Sequence, residues 1–135
     1  MARWREFLAV AAGGILGTSI RLLTDTLIPH TASSFPVSTL AVNVVGAFVL
    51  ALLVSSIWTR PRIPNWMKAG LGTGLLGSFT TFSALITSLL SEATHDLWWL
   101  AIVYLLTSLV LGLGAALLGL SVGHRLPRRP DLVDE

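Results

Sequence analysis

The sequence predicts an all-α membrane protein with four transmembrane helices, the third of them broken. Hydrophobic residues make up 53% of the 135 residues and charged residues only 12%, whereas a typical soluble domain is about 25% charged. Four apolar runs, near residues 7–28, 37–58, 66–90 and 97–122, each reach the ~20 residues that a helix needs to cross a bilayer. All six prolines lie outside these runs, as uninterrupted helices require. We therefore expect one membrane domain over residues 1–126 and a polar tail over residues 127–135.

The first run follows Arg3 and Arg5 and contains Gly13 and Gly17, which are four residues apart. Small residues at this spacing let helix backbones approach closely in lipid, either in internal packing or at a subunit interface. The same spacing recurs at Gly70 and Gly74, at Ser108, Gly112 and Ala116, and at Gly119 and Gly123. Arg21 lies near the end of the first run, where its charge either extends outward to solvent or pairs within the protein.

The second run contains a single amide side chain, Asn43, with Thr39 four residues before it on the same helix face. An isolated asparagine in a transmembrane helix is most often a residue that forms an interhelical hydrogen bond. Asn43 alone therefore does not distinguish a packing role from a role in transport.

The third run contains the segment from Gly77 to Ser83, which reads Gly-Ser-Phe-Thr-Thr-Phe-Ser. Glycine and threonine have lower helix propensity than the leucine or isoleucine expected on a lipid-facing helix. A break here would free backbone groups at membrane depth, which is tolerated only where they are buried in protein or face an ion or water. The segment predicts either a kink without an ion or an ion site of the kind that broken helices form.

The fourth run contains Tyr104 and Ser108, whose spacing of four residues places both on one helix face. All five tryptophans lie near span ends, as in the aromatic belts of membrane proteins: Trp4, Trp58, Trp66, Trp98 and Trp99. Four helices enclose too little space for a large aqueous path, so a transport function would require at least a dimer.

The basic residues indicate the orientation of the chain. Eight of the nine lie on one side of the predicted spans: Arg3, Arg5, Arg60, Arg62, Lys68, Arg125, Arg128 and Arg129. The opposite joints contain Asp25, Glu92 and Asp96 but no lysine or arginine. The positive-inside rule therefore predicts a multi-pass protein of the cell membrane with both termini, and the tail, in the cytoplasm.

Several function classes are disfavoured by what the sequence lacks. There is no cysteine, which excludes disulfides and thiolate metal sites. No acidic residue, lysine or histidine lies in the middle of a predicted span, which disfavours a proton-coupled four-helix exporter of the small-multidrug type. No nucleophile–base pair is apparent within the spans, and His30, His95 and His124 lie at joints or span ends, so we expect no enzyme. The expected partners are lipid and other membrane chains, not nucleic acid.

Three motifs together resemble the CrcB/Fluc family of fluoride channels. They are Gly77 to Ser83 in the third span, Thr39 to Asn43 in the second, and Gly13 to Arg21 in the first. The resemblance extends over all four spans. It implies a passive channel that lets fluoride leave the cytoplasm, assembled as an antiparallel dimer with two narrow pores.

The resemblance also implies a set of functional residues. The fluoride path would include Thr39, Asn43, Phe82, Ser83, Tyr104 and Ser108. Within it, Asn43 would supply an amide donor and Phe82 the positive edge of its ring, both suited to an anion. A structural sodium ion at the dimer centre would be bound by the backbone carbonyls of Gly77 and Thr80.

One residue departs from the family pattern. Leu85 stands where the family usually has a second aromatic ring, and an aliphatic side chain offers no positive edge to an anion. Together with the one-sided charge, this predicts pairing with a paralogue of inverted topology, in a dimer with one intact and one impaired pore. A non-conducting membrane subunit is a further alternative.

Overall fold

A computed structural model describes residues 2–29 and 34–126, and all the regular structure in that part of the chain is helical. The helices are α1 (Ala2–Leu27), α2 (Val37–Ser56), α3 (Asn65–Ala69), α4 (Gly77–Phe79), α5 (Phe82–Thr94) and α6 (Trp98–Arg125), with a π-helical segment (Gly70–Leu76) between α3 and α4. Four stretches are long and apolar enough to cross a membrane, the third being 65–94 as a whole. The predicted all-α class, the four spans and the break in the third are thereby confirmed. The tail at 127–135 and His30 lie outside the described residues.

One prediction about the ends of the spans is wrong. The third span does not stop near residue 90, because α5 continues to Thr94. Glu92, expected in a solvated joint, instead lies in the last turn of α5 and is 1% exposed. The carboxyl group of Glu92 therefore lies within the third span, close to its end.

Close packing of α1 on the π-helical segment depends on glycine. A Cβ atom added to Gly13 would overlap the carbonyl oxygen of Gly70, and one added to Gly17 would overlap the carbonyl oxygen of Leu75. On the opposite side, a Cβ on Gly74 would lie 2.7 Å from the carbonyl oxygen of Val10. These glycines therefore pack the first and third spans together within one subunit.

The second and fourth spans form the other close helix pair, and glycine again permits the approach. A Cβ added to Gly119 would overlap the backbone of Phe48, and one added to Gly123 would overlap the side chain of Ser55. A Cβ on Gly112 would meet nothing within 4 Å. The small-residue spacing in α6 therefore serves internal packing at its carboxyl end, while Gly112 faces open space.

Large apolar side chains cover the outer surface of the helices, and several on α6 are more than half exposed. They include Val110 at 68%, Leu113 at 66% and Leu117 at 64%. Exposed apolar surface on this scale is what a chain surrounded by lipid or by other membrane chains presents. These helices bury mainly small residues against one another, and a group of polar residues lies among them.

Candidate ion site

The break in the third span lies at two threonines in extended conformation. Thr80 ends α4 with φ −77° and ψ 155°, and Thr81 begins α5 with φ −149° and ψ 122°. The hydroxyl of Thr81 accepts a hydrogen bond of 3.1 Å from the amide of Ala84, which is the usual N-cap interaction. The hydroxyl of Thr80 donates to the carbonyl of Leu76 at 2.9 Å. Each threonine thus stabilises the end of the helix beside it.

Asn43 connects the second span to this break. Its side-chain amide donates to the carbonyl oxygen of Thr81 at 2.9 Å, and its side-chain oxygen accepts from the amide of Thr81 at 2.8 Å. An asparagine amide has two N–H donors, so the second remains for another acceptor. Asn43 therefore fixes the extended backbone of the break and still offers a donor to an ion.

The same hydrogen bonds divert two helical donors. The amide of Thr81 donates to Asn43 instead of the carbonyl of Gly77, four residues earlier. The amide of Ala84 donates to the hydroxyl of Thr81 instead of the carbonyl of Thr80. Both carbonyls thus lose the partners that an unbroken helix would supply. Carbonyl oxygens without donors are suitable ligands for a hard cation such as sodium, so Gly77 and Thr80 fit the predicted sodium site.

An open cleft of about 320 Å³ lies beside the break. Its lining consists of small and apolar residues together with one amide: Asn43, Gly46, Ala47, Leu50, Gly72, Leu76, Gly77 and Thr80. The cleft therefore brings Asn43 and both predicted sodium ligands to a single surface of the subunit.

Phe82 and Ser83 lie at the start of α5 and point away from the core of the subunit. The Phe82 side chain is 76% exposed, and Ser83 is exposed, with its hydroxyl 3.1 Å from the Thr81 hydroxyl. An exposed aromatic ring beside a helix break is a surface that an additional chain or an ion could use. Leu85, by contrast, is 9% exposed, so its side chain packs within its own subunit.

Tyr104, Ser108 and Thr39 form a buried hydroxyl cluster between α2 and α6. Tyr104 is fully buried and Thr39 is 3% exposed, and the ring of Tyr104 packs edge-on against Phe35 with 5.3 Å between centroids. The Tyr104 hydroxyl lies near the side chains of Ser108 and Thr39 but forms a hydrogen bond of ordinary geometry with neither. The Ser108 hydroxyl also lacks a partner among the described residues.

The predicted path residues thus fall into two groups. Asn43, Phe82 and Ser83 lie at the break, whereas Thr39, Tyr104 and Ser108 form the hydroxyl cluster. Thr39 and Asn43 are one turn apart on α2, so that helix connects the two groups.

Glu92 is a buried residue that the sequence analysis placed at a joint between spans. It is 1% exposed, and neither carboxyl oxygen has a hydrogen-bond partner among the described residues. Across from it, the Tyr104 side chain is near enough for an electrostatic interaction. The sequence does indicate that this helix is longer, because no glycine or proline interrupts it from Phe82 past Glu92. The end near residue 90 was predicted from hydropathy alone.

Comparison with known proteins connects this arrangement to a family. A family model described as CrcB-like protein, Camphor Resistance (CrcB), matches residues 8–120. The chain is 39% identical to the fluoride-specific ion channel FluC 2 of Halalkalibacterium halodurans, over 93% of the chain and 90% of that protein. It is 36% identical to FluC 1 of Mycolicibacterium paratuberculosis, over 91% of the chain and 93% of that protein. It is also 38% identical to FluC of Agrobacterium fabrum, over 87% of the chain and 94% of that protein.

Proposed function

The chain belongs to the CrcB family, and we propose that it is a subunit of a fluoride-specific ion channel that lowers cytoplasmic fluoride by passive export. The observation that carries this proposal is the line of uncharged donors from Asn43 to the Tyr104 and Ser108 hydroxyls. Fluoride is small and strongly hydrated, so a pore must replace its water with donors and still release it. Neutral amide and hydroxyl groups meet both requirements.

Ion conduction requires no bond-making step, so we assign no enzymatic role to the chain. The path residues act by donating hydrogen bonds and by excluding bulk water. Asn43 has one donor left after it binds Thr81. The Phe82 ring, exposed at the break, would present its positive edge to the anion.

The exporter alternative is disfavoured for a different reason than the sequence suggested. A carboxyl group does lie in a span, since Glu92 is buried in α5. The match to relatives named fluoride-specific ion channels instead favours a channel. A non-conducting partner subunit would give no fluoride flux in any pairing.

An antiparallel dimer would complete the site. The cleft at the break and the exposed Phe82 and Ser83 belong to surfaces that one subunit leaves open. The basic residues all lie on the side that we assign to the cytoplasm, apart from Arg21, which is half-buried in α1. A chain with this bias inserts in one orientation, so an antiparallel partner would be a paralogue of inverted topology.

Sodium would be a structural component of that dimer. The Gly77 and Thr80 carbonyls, which lack their helical donors, support this assignment. A bound sodium ion would neutralise their partial negative charge at membrane depth, where water is not available to do so.

Fluoride tolerance of cells tests the proposed function. Expression of this chain in a bacterium without fluoride channels, with and without its inverted paralogue, should restore growth on fluoride in at least one pairing. A chain that is correctly inserted in the membrane but gives no protection in either case would contradict the proposal. Protection by the chain alone would contradict an obligate paralogue.

A further inference from the structure

Glu92 is an unusual group for the span of an anion channel. It is 1% exposed, and both its carboxyl oxygens lack hydrogen-bond partners among the described residues. Native structures leave few buried polar atoms without partners, and each calls for an explanation. Here two further atoms without partners, the hydroxyls of Tyr104 and Ser108, lie on the helix that packs against it.

Within residues 2–29 and 34–126, no positively charged side chain lies near Glu92. Glu92 is the only titratable residue of α5, and α2 has none. From α6 the titratable group on this side is Tyr104, while His124 and Arg125 lie at the far end of that helix. The nearest titratable residues along the chain, His95 and Asp96, are exposed. No cation among the described residues is therefore placed to neutralise a Glu92 carboxylate.

The protonated and ionised forms of the Glu92 side chain would interact with fluoride in opposite ways. A buried, unpaired carboxylate ion is very costly, and such groups are accommodated by taking up a proton. As a protonated acid, Glu92 has one O–H donor, like the hydroxyl of the nearby Tyr104. As a carboxylate it has only acceptors and a negative charge, which would repel an anion in a poorly screened site.

We propose that Glu92 is a further residue of the fluoride path, one that extends the hydroxyl cluster to the outer end of the pore and admits fluoride only when protonated. This inference rests on the proposed channel function and on the orientation that places the end of α5 outside. Fluoride flux should therefore depend on the external pH. A path made only of amide and hydroxyl donors would show no such dependence between neutral and mildly alkaline pH.

Fluoride efflux from liposomes tests the proposal, with the channel in its conducting assembly and the flux of protein-free vesicles subtracted at each pH. Wild-type flux should fall as the external pH rises, by about tenfold per unit once the carboxyl group is mostly ionised. Glu92→Gln keeps a donor and cannot ionise, so its flux should be independent of pH. The matched control is Asp96→Asn at an exposed carboxyl with φ 60°, a conformation that asparagine tolerates. It should keep the wild-type profile.

Infrared difference spectroscopy gives a readout that does not depend on conduction. Wild-type protein should show the carbonyl band of a protonated carboxylic acid, lost at high pH and absent from Glu92→Gln. A wild-type flux independent of pH, a Glu92→Gln channel with the wild-type profile, or a spectrum in which this substitution removes no acid band would each overturn the proposal. Absence of fluoride flux from every variant at every pH would instead overturn the channel function itself, and the gating role with it.

Discussion

The side-chain amide of Asn43 and the backbone of Thr81 exchange two hydrogen bonds, of 2.9 Å and 2.8 Å, across the break in the third span. This pair replaces the helical hydrogen bonds that the break removes, so the extended backbone is stable at membrane depth. It also diverts the Thr81 amide from the carbonyl of Gly77. One side chain thereby fixes the break, leaves a donor for an anion and frees an acceptor for a cation.

Substitution of Asn43 by alanine should destabilise the protein and reduce fluoride flux. Each lost hydrogen bond is worth about 1 kcal/mol, and the unsatisfied Thr81 groups add to the cost. We expect a lower unfolding midpoint in detergent and a large loss of flux. Asn65→Ala, at an exposed asparagine at the start of α3, is the matched control. Equal unfolding midpoints for the two variants would show that the Asn43–Thr81 pair does not stabilise the break.

Replacing Phe82 with isoleucine should reduce conduction without loss of folding. The ring is 76% exposed, so the subunit loses little buried area, but the positive edge offered to an anion disappears. Fluoride flux per channel and elution volume in size-exclusion chromatography measure the two effects. Phe7→Ile, at a residue 63% exposed on α1, serves as the control and should conduct normally. Normal flux through Phe82→Ile would refute the role assigned to the ring.

Tyr104→Phe separates a role in the path from a role in packing. The ring and its edge-on contact with Phe35 remain, and only the unpartnered buried hydroxyl is lost. Removing such a hydroxyl should leave the free energy of unfolding unchanged or slightly higher, because no hydrogen bond is broken. Fluoride flux should nevertheless fall. A variant with unchanged flux would mean that the hydroxyl does not contact the ion.

Two glycine substitutions should have opposite effects on stability. Gly13→Ala places a Cβ against the carbonyl oxygen of Gly70, which forces α1 away from the π-helical segment and lowers the unfolding midpoint. Gly112→Ala adds a Cβ where nothing lies within 4 Å, and the gain in helix propensity is about 1 kcal/mol. Thermal unfolding in detergent compares the two. A Gly13→Ala protein as stable as Gly112→Ala would contradict the packing of the first and third spans.

Removal of sodium during purification should weaken the proposed dimer, because the carbonyls of Gly77 and Thr80 would lose the cation that we propose they bind. The fraction of dimer at low protein concentration, with sodium replaced by a large organic cation, measures this effect. Restoring sodium should restore the dimer. A dimer fraction that does not change with sodium would show that no structural sodium ion holds the subunits together.

The spans and the break could be predicted because their signals are local. Spanning length and hydropathy identify the helices, and low helix propensity from Gly77 to Ser83 locates the break. The Asn43–Thr81 pair joins residues 38 positions apart, and no local pattern shows which partner an isolated asparagine selects. Glu92 was misplaced because a charged residue near a span end is normally solvated, and burial by α6 is a tertiary effect.

The most direct test of the proposed channel is fluoride efflux from liposomes that contain this chain, alone and with a paralogue of inverted topology. A fluoride electrode in the external medium would record release from vesicles loaded with fluoride, and parallel vesicles loaded with chloride would report selectivity. Vesicles that contain both chains should release fluoride rapidly and chloride negligibly. Equal release of the two anions, or no fluoride release in either preparation of folded protein, would contradict the proposed channel.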